Sequence, residues 1–433
     1  MRSTSNSCRG QPVIDLRGAT DDDGETANAT ASSAAPALLK RPQFRAYLAA
    51  NAAFMLPGGI MGVLFPWLVA VQLAASAQQL GLAQMASQIP MLLLVIFGGI
   101  LADRRDPRRI LLGIHLLASV PPLALALVIL GGQLNYAVLI AFALASGTLA
   151  AFSMPARDSL LTTVGGDQVQ RAVGFSMGLQ FLVQVTGFGL ASLADSTGPV
   201  PLLLLMSALM ASGFFAALAL PHRLTPVVTE ALRPSDVLAG VTLTLRSALL
   251  LPPMILAFGT GVFYAGSFMV LLPLIVRDVY GGSAAGIGAA FIAVMLGTLI
   301  SIVIIIRGPG IRRQGRAMLL SQGLGAVVLA SLVLNPPKAG FLAILLLWGM
   351  CGGIGMLMSR TIVQQAAPES HRGRVLSVFS LANLGGMPLG SLLLGFAAGA
   401  IGPSAALFIP AVAMLSLSVS VGLTSALWRQ KEA

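Results

Sequence analysis

Residues 98–110 read GGILADRRDPRRI, a short charged segment between two long apolar stretches. Residues 79–102 precede the charges and residues 110–130 follow them, and each stretch is near the ~20 residues that a helix needs to cross hydrocarbon. A segment this short and this charged cannot bury a core of its own. It therefore predicts a tight connection between two membrane-spanning helices.

The same alternation of apolar stretch and short break continues along the chain. Of the 433 residues, 56% are hydrophobic and 9% are charged, against about 25% charged in a soluble domain, and the mean hydropathy is +0.88. This composition excludes a soluble enzyme, a secreted disulfide scaffold and a disordered chain. We predict an all-α membrane protein with twelve transmembrane helices, at residues 46–73, 79–102, 110–130, 135–154, 172–194, 199–220, 250–275, 284–306, 317–334, 339–359, 375–398 and 403–427.

Two polar segments divide the chain into parts. Residues 1–39 predict a disordered cytoplasmic tail, and they lack the basic and apolar regions of a secretory signal, so the first helix must direct insertion. Residues 221–249 predict a cytoplasmic linker. The linker separates an N-terminal six-helix half, residues 40–220, from a C-terminal half, residues 250–433.

The positions of lysine and arginine predict the orientation. A connection is called odd or even by the number of the helix that it follows. Among the 26 lysines and arginines, only Arg277 and Lys338 lie in odd connections, and the others lie in the tails and the even connections. Basic residues stay on the cytoplasmic side, so we expect both termini in the cytoplasm and the chain in the cytoplasmic (inner) membrane.

A shift of 203 residues superimposes basic positions without gaps. Each pair lies on the predicted cytoplasmic side: Arg104 with Arg307, Arg109 with Arg312, Arg157 with Arg360, and Arg171 with Arg374. Two six-helix halves in parallel arrangement explain the pairs, and such a duplication places a binding site between the halves near the bilayer midplane. Coincidence is the alternative, because arginines are common on that side.

Residues for catalysis or metal binding are not grouped in the sequence. Cys8 and Cys351 lie far apart, and His115, His222 and His371 show no metal-ligand spacing. The formal charge of +11 follows membrane topology and does not indicate a nucleic-acid site. We expect no enzyme activity, no cofactor, no metal and no nucleic-acid partner, and we expect a monomer.

The charged segment resembles the loop motif of the major facilitator superfamily, G-x-x-x-D-R-x-G-R-R. Gly99, Asp103, Arg104 and Arg108 match the motif, whereas residues 106–107 depart from it as Asp-Pro. The resemblance implies two six-helix halves that rock about a central site.

Other segments resemble the drug:proton antiporter-3 branch, which exports macrolides and siderophores. They read FRAYL at 44–48, PARDSLL at 155–161, HRGRV at 371–375 and GMPLG at 386–390, and the resemblance covers residues 40–427. It implies an exporter of a siderophore, a drug or another small amphiphilic metabolite. Exporters often carry G-P-x-x-G-G in helix 5, but residues 187–192 read GFGLAS. A nutrient importer therefore stays an alternative, as does a non-transporting receptor or assembly protein.

The resemblance implies a latch on the cytoplasmic side. Asp103 would face the positive end of helix 11 and pair with Arg374, Arg104 or Arg108, holding the outward-facing state. Arg157 and Asp158 form a candidate second pair. Solvated charges that only set topology are the alternative.

Acidic residues are missing from the middle of every predicted span. All fifteen lie in tails, loops or span ends. Proton coupling, a candidate energy source, would therefore use boundary carboxylates: Asp103 or Asp158 inside, and Asp195 or Asp278 outside. No fixed charge for an ionic substrate is evident, so the expected partner is a bulky amphiphile in a neutral cavity.

Polar residues inside the predicted spans are the candidate cavity lining. Helical spacing places Ser176, Gln180 and Gln184 on one face of helix 5, and Gln84 with Gln88 on one face of helix 2. Asn51, Tyr264, Ser380 and Asn383 are further single candidates. The alternative for each is hydrogen bonding between helices.

Overall fold

A computed structural model describes residues 38–222, 242–245, 247–308, 310–368 and 372–428. These residues are almost entirely helical and include no strand. We number the helices α1 (Pro42–Gln72), α2 (Ala77–Arg104), α3 (Pro107–Leu130), α4 (Tyr136–Gly165), α5 (Val169–Ala191), α6 (Pro199–Leu218), α7 (Leu251–Val279), α8 (Ala284–Arg307), α9 (Gln314–Ser331), α10 (Lys338–Ala366), α11 (Arg372–Ile401) and α12 (Pro403–Thr424). The all-α membrane architecture is thus confirmed.

The helices are long and apolar enough to cross a membrane. Eleven stretches of the described residues meet that condition, and one of them, Tyr136–Thr197, is 62 residues long. That stretch contains both α4 and α5, which a 3₁₀ turn at Gly166–Gln168 separates. Residues 1–37 of the predicted tail, and most of the predicted linker at 221–249, lie outside the described residues.

Local signals start the helices. Ser76 caps α2 in a reciprocal capping box with Gln79, and Asn135 and Ser283 each accept a backbone N–H at the starts of α4 and α8. Asp106 caps α3 in the same way, and Pro107 follows it at the first helical position. The Asp-Pro pair that departs from the loop motif is therefore the start signal of α3.

Several helices are longer than the apolar stretches from which they were predicted. The expected end of α4 was residue 154, but α4 continues to Gly165. Likewise α10 continues to Ala366 instead of residue 359. Hydropathy falls where charged and hydroxyl side chains begin, whereas a backbone helix needs only internal hydrogen bonds to continue beyond hydrocarbon.

The first helix of each half widens locally into π-helical turns. They lie at Leu68–Gln72 in α1, and at Thr260–Ala265 and Ser267–Leu271 in α7. Such turns inside α-helices often lie at functional sites. Their occurrence in both α1 and α7 agrees with a duplicated half.

Close glycine crossings repeat between the halves. Gly187 of α5 packs on the backbone of α1 at Gly59, and a side-chain carbon on Gly187 would lie 2.8 Å from the Gly59 Cα. Gly390 of α11 lies 203 residues after Gly187, and it packs in the same way on the backbone of α7 at Val262, which lies 203 residues after Gly59. Small residues let the two helix backbones approach in both places.

The two halves meet closely at one end of the bundle. We call the end with the odd connections the odd-loop face and the opposite end the even-loop face. At the odd-loop half of α2, a side-chain carbon on Gly81 would lie 2.9 Å from the Gly395 Cα of α11. Nearer the even-loop face, one on Gly385 of α11 would only touch the Leu92 side chain of α2, at 3.9 Å. The two helices therefore diverge toward the even-loop face.

Candidate functional site: a central cavity and its gates

A cavity of about 280 Å³ lies inside the membrane-spanning part of the bundle. Helices α1, α2, α3, α4 and α6 of the first half form most of its wall, and Met269 of α7 and Met387 of α11 complete it. Both halves therefore contribute to the wall, although unequally.

The cavity wall is apolar and adaptable. Methionines contribute from five positions, Met61, Met206, Met210, Met269 and Met387, and phenylalanines from three, Phe54, Phe65 and Phe142. Methionine side chains are flexible and polarizable, so they can fit ligands of different shape. None of the residues that form the wall is charged.

Two predicted glutamines of α2 supply polar groups to this wall. Gln84 Nε2 donates to the Met269 carbonyl at 3.1 Å, and Gln88 Nε2 donates to Ser391 Oγ of α11 at 3.3 Å. The buried Gln88 Oε1 has no hydrogen-bond partner among the described residues. Both glutamines thus join the two halves, and Gln88 has one unpartnered acceptor atom at the wall.

The three residues of the predicted polar face of α5, Ser176, Gln180 and Gln184, differ in how deeply they are buried. Ser176 is buried and accepts a hydrogen bond from Asn51 of α1 at 3.4 Å, which is helix-to-helix packing. Gln180 is exposed and Gln184 is half-buried. None of these residues forms part of the 280 Å³ cavity wall.

Residues predicted in the second half also lie outside the cavity wall. The buried Tyr264 hydroxyl donates to the Gln322 carbonyl of α9, and its ring packs edge-on to Trp348. Asn383 donates to the Ala257 carbonyl of α7 at 3.2 Å, and Ser380 is exposed. Tyr264 and Asn383 therefore form hydrogen bonds between helices, which is the alternative that the sequence left open for them.

Arg157 does not pair with its neighbour in sequence. In the described part of the chain no ion pair joins Arg157 to Asp158, whose side chain is exposed. Arg157 Nη1 instead donates to Asn51 Oδ1 at 2.9 Å, and its guanidinium lies 4.8 Å from the centre of the Phe54 ring. Arg157 thus turns inward to α1, its interaction with Asp158 acts at longer range than an ion pair, and a gating role for the two residues stays a prediction.

The even-loop segment between α2 and α3 is held within the first half. Arg108 donates to the carbonyls of Ala217 and Leu218 at the end of α6, and the Asp106 carboxylate lies 2.5 Å from His222 Nδ1. Arg104 is exposed. Asp103 lies near the end of α2, and its side chain falls outside the described part of the structure, so its latch with Arg374 stays a prediction.

Polar contacts close the odd-loop face across the halves. Both Asp195 carboxylate oxygens accept backbone N–H groups at the start of α8, from Ala284 and Ala285, at 2.8 Å each. Arg277 Nη1 donates to the Ala75 carbonyl in the connection between α1 and α2 at 2.9 Å. The sequence indicated Asp195 only as a boundary acid. Nothing in the spacing paired it with α8.

Sequence comparison finds transporters. A profile described as Major Facilitator Superfamily matches residues 47–391. The enterobactin exporter EntS of Escherichia coli O1:K1 / APEC is 29% identical over 378 residues, covering 83% of this chain and 86% of the exporter. EntS of Shigella flexneri is 28% identical over 367 residues, with the same coverage.

Solved structures share the fold. The nucleoside transporter NupG gives a TM-score of 0.72 at 13% identity, covering 90% of this chain and 100% of NupG. An inward-facing, unoccupied bacterial homologue of the human lysosomal transporter Spinster gives 0.64 at 15% identity, covering 90% of this chain and 96% of the other. At such identities the likeness concerns the fold alone.

Proposed function

The chain belongs to the Major Facilitator Superfamily, and we propose that it exports a small amphiphilic molecule by alternating access. Membership makes it a multi-pass transporter of the inner membrane and not an enzyme.

The cavity is the observation that carries this proposal. Its wall comes mostly from the first half, with Met269 and Met387 from the second, and it is uncharged and rich in methionine and phenylalanine. Gln88, which forms part of this wall, has a buried Oε1 without a hydrogen-bond partner among the described residues. Such a wall favours a molecule with a large apolar body and a few hydrogen-bonding groups. A siderophore, a drug or another secondary metabolite has this character.

Export is supported by the relatives in sequence. Exporters named for enterobactin align with more than four-fifths of this chain. We place the even-loop face in the cytoplasm because it carries nearly all the basic residues. With that orientation, the contacts of Asp195, Arg277 and Gly81 close the outer side, and α2 and α11 diverge toward the inner side, from which an export substrate would enter.

Comparative mass spectrometry tests the proposal. Medium and cell pellet would be compared for cells with and without this gene, grown in iron-replete and iron-poor medium. We expect one metabolite to move from medium to cells on deletion, and a shift confined to iron-poor growth would identify a siderophore. No outward-moving metabolite under either condition would contradict export.

Import of a small nutrient is the second candidate. Its specific support is the helix-5 segment GFGLAS at 187–192, which lacks the exporter pattern. The fold is also that of NupG, which is named a nucleoside transporter. An importer predicts the opposite result in the same experiment: a compound accumulates in the medium when the gene is deleted.

The Asp103 latch gives a test of alternating access. We expect Asp103→Asn to lower the transport rate about tenfold, because the neutral amide interacts less with the positive end of α11 and with arginines. Membrane abundance should not change. Arg105→Gln, at an exposed neighbouring position, is the matched control. A wild-type rate for Asp103→Asn would contradict the latch.

The free acceptor of Gln88 gives a test of the cavity. Gln88→Met keeps the length of the side chain and removes its polar groups, so the substrate would lose one hydrogen bond and the apparent affinity should fall about five- to tenfold. The apparent affinity is measured from the transport rate at increasing concentrations of the metabolite that mass spectrometry identifies. Gln133→Met, at an exposed loop position, is the control. Unchanged affinity in Gln88→Met would place the substrate elsewhere.

A further inference from the structure

Arg157 is a cation held beside the cavity with no carboxylate within ion-pair distance among the described residues, and the neighbouring Asp158 acts on it only at longer range. It is half-buried in α4, and the described residues form no ion pair with it. Its Nη1 donates to Asn51 Oδ1 at 2.9 Å and its Nε to the Ser153 carbonyl at 3.4 Å. A guanidinium has five N–H donors, so these two bonds leave donors available.

Phe54 connects this cation with the cavity. The ring of Phe54 forms part of the cavity wall, and the Arg157 guanidinium carbon lies 4.8 Å from its centre. His115 packs edge-on to the same ring, with 6.2 Å between ring centres, and its Nδ1 contacts the Met210 carbonyl. The positive charge is therefore one side chain from the space that a substrate would occupy.

Holding a charge in such a place is costly unless a partner compensates it. A cation partly withdrawn from water, with no carboxylate within ion-pair distance, raises the free energy of the folded protein. Asn51 and the Phe54 ring offset part of the cost through a hydrogen bond and a cation–π contact. An anionic group on a bound molecule would offset more, because its hydrogen bonds with guanidinium are charge-assisted and bidentate.

We propose that Arg157 recognises an anionic group of the substrate, so that the transported molecule is an amphiphilic anion. Its apolar body would lie against the methionines and phenylalanines, and its carboxylate, sulfonate or ionised phenol would reach Arg157 past Phe54. A hydroxyl or N–H on the body would meet the free Oε1 of Gln88. The inference rests on the proposed transport function and adds the charge of the substrate.

A binding experiment with two matched probes tests the charge. The probes are 8-anilinonaphthalene-1-sulfonate and N-phenyl-1-naphthylamine, which share the same ring system and differ by the sulfonate. Fluorescence titration would use the full chain in phosphatidylcholine nanodiscs, with empty nanodiscs subtracted. We expect Arg157→Gln to weaken sulfonate binding at least about tenfold, the loss of one charge-assisted interaction, and to change naphthylamine binding less than about twofold.

The duplicated position supplies the control. Arg360 lies 203 residues after Arg157, and its side chain is exposed on α10. Arg360→Gln removes the same charge from the protein, and it should leave the binding of both probes unchanged. Arg157→Lys keeps the charge and should retain most of the preference for the sulfonate.

Three other results would each overturn part of this proposal. Equal loss of both probes in Arg157→Gln, with loss in Arg157→Lys as well, would mean that Arg157 only ties α4 to α1. Unchanged sulfonate binding in Arg157→Gln would overturn the anion site while leaving the cavity intact. If the wild-type chain bound neither probe, the amphiphile cavity itself would be contradicted, and the anion site with it.

Discussion

Replacing Gly81 with leucine should trap the protein with its odd-loop face open and lower transport at least about tenfold. A side-chain carbon at this position would lie 2.6 Å from the Ser391 carbonyl oxygen and 2.9 Å from the Gly395 Cα. Both are backbone atoms, so no rotamer change relieves the overlap. Overpacking of this kind costs about 1–3 kcal/mol, which shifts a two-state equilibrium by about 5- to 150-fold.

The strain should fall on one conformation only. Gly81 and Gly395 touch because α2 and α11 close together at the odd-loop face, and separation of the halves at that face removes the overlap. A substitution that penalises one state and not the other changes their populations. Gly81→Leu therefore acts on the conformational equilibrium, and loss of folding is not the expected cause.

Distances between spin labels measure this shift. Cysteines at Gln133 and Lys338 would place labels on exposed positions of the odd-loop face, one in each half, in a background without the two native cysteines. In Gly81→Leu their separation should increase. Gly113→Leu is the matched control, because Gly113 has no atom within 4 Å of the new side-chain carbon. An unchanged distance distribution together with wild-type transport would contradict this role of Gly81.

The sequence predicted the architecture because membrane insertion depends on signals that lie along the chain. Apolar length and basic residues at loop ends act locally, so they are visible without coordinates. The shift that pairs Arg104 with Arg307 is equally local, and both residues end a helix, α2 and α8 respectively. The ends of α4 and α10 were missed because a helix can continue after its hydropathy falls.

The residues of the cavity wall were only partly predictable from the sequence. The spacing of polar residues shows which of them share one face of a helix, but it does not show what that face contacts. Gln84 and Gln88 of α2 do line the cavity, whereas Ser176 of α5, which was predicted from the same four-residue spacing, is buried against Asn51. Equivalent residues of the repeat also diverge. Arg157 turns toward α1, and its counterpart Arg360 is exposed. These differences arise from tertiary packing, which one sequence does not reveal.

Removing the Asp195 carboxylate should also open the odd-loop face. Asp195 belongs to the first half, and its two oxygens accept N–H groups of Ala284 and Ala285 at the start of α8 in the second half, both at 2.8 Å. The first N–H groups of a helix have no partner inside the helix, and the helix end is positively polarised. Ser283 caps only the next amide, that of Gly286.

We expect Asp195→Ala to destabilise the closed odd-loop face by about 1.5 kcal/mol, the lower end of the usual value of hydrogen bonds to a charged group, because Asp195 is exposed to solvent. The Gln133–Lys338 label distance should lengthen, and a second label pair at the exposed Arg109 and Arg313 on the even-loop face should approach. Asp195→Asn should give a smaller shift in the same direction. The asparagine amide oxygen can still accept a hydrogen bond from one of the two backbone N–H groups. The amide NH₂ would face the other N–H, and two donors cannot form a hydrogen bond with each other.

Asp167 provides the control for this experiment. It is an exposed acid on the even-loop side, where Arg41 Nη2 lies 2.9 Å from its carboxylate. Exposed pairs contribute little, so Asp167→Ala should leave both distances unchanged. If Asp195→Ala also left them unchanged, the contact with α8 would be incidental, and Gly81 with Arg277 would account for closure. If instead Asp195→Ala opened the odd-loop face, this acid would be a counterpart to the latch expected from Asp103, because each would link an acidic residue of the first half to a helix start in the second half.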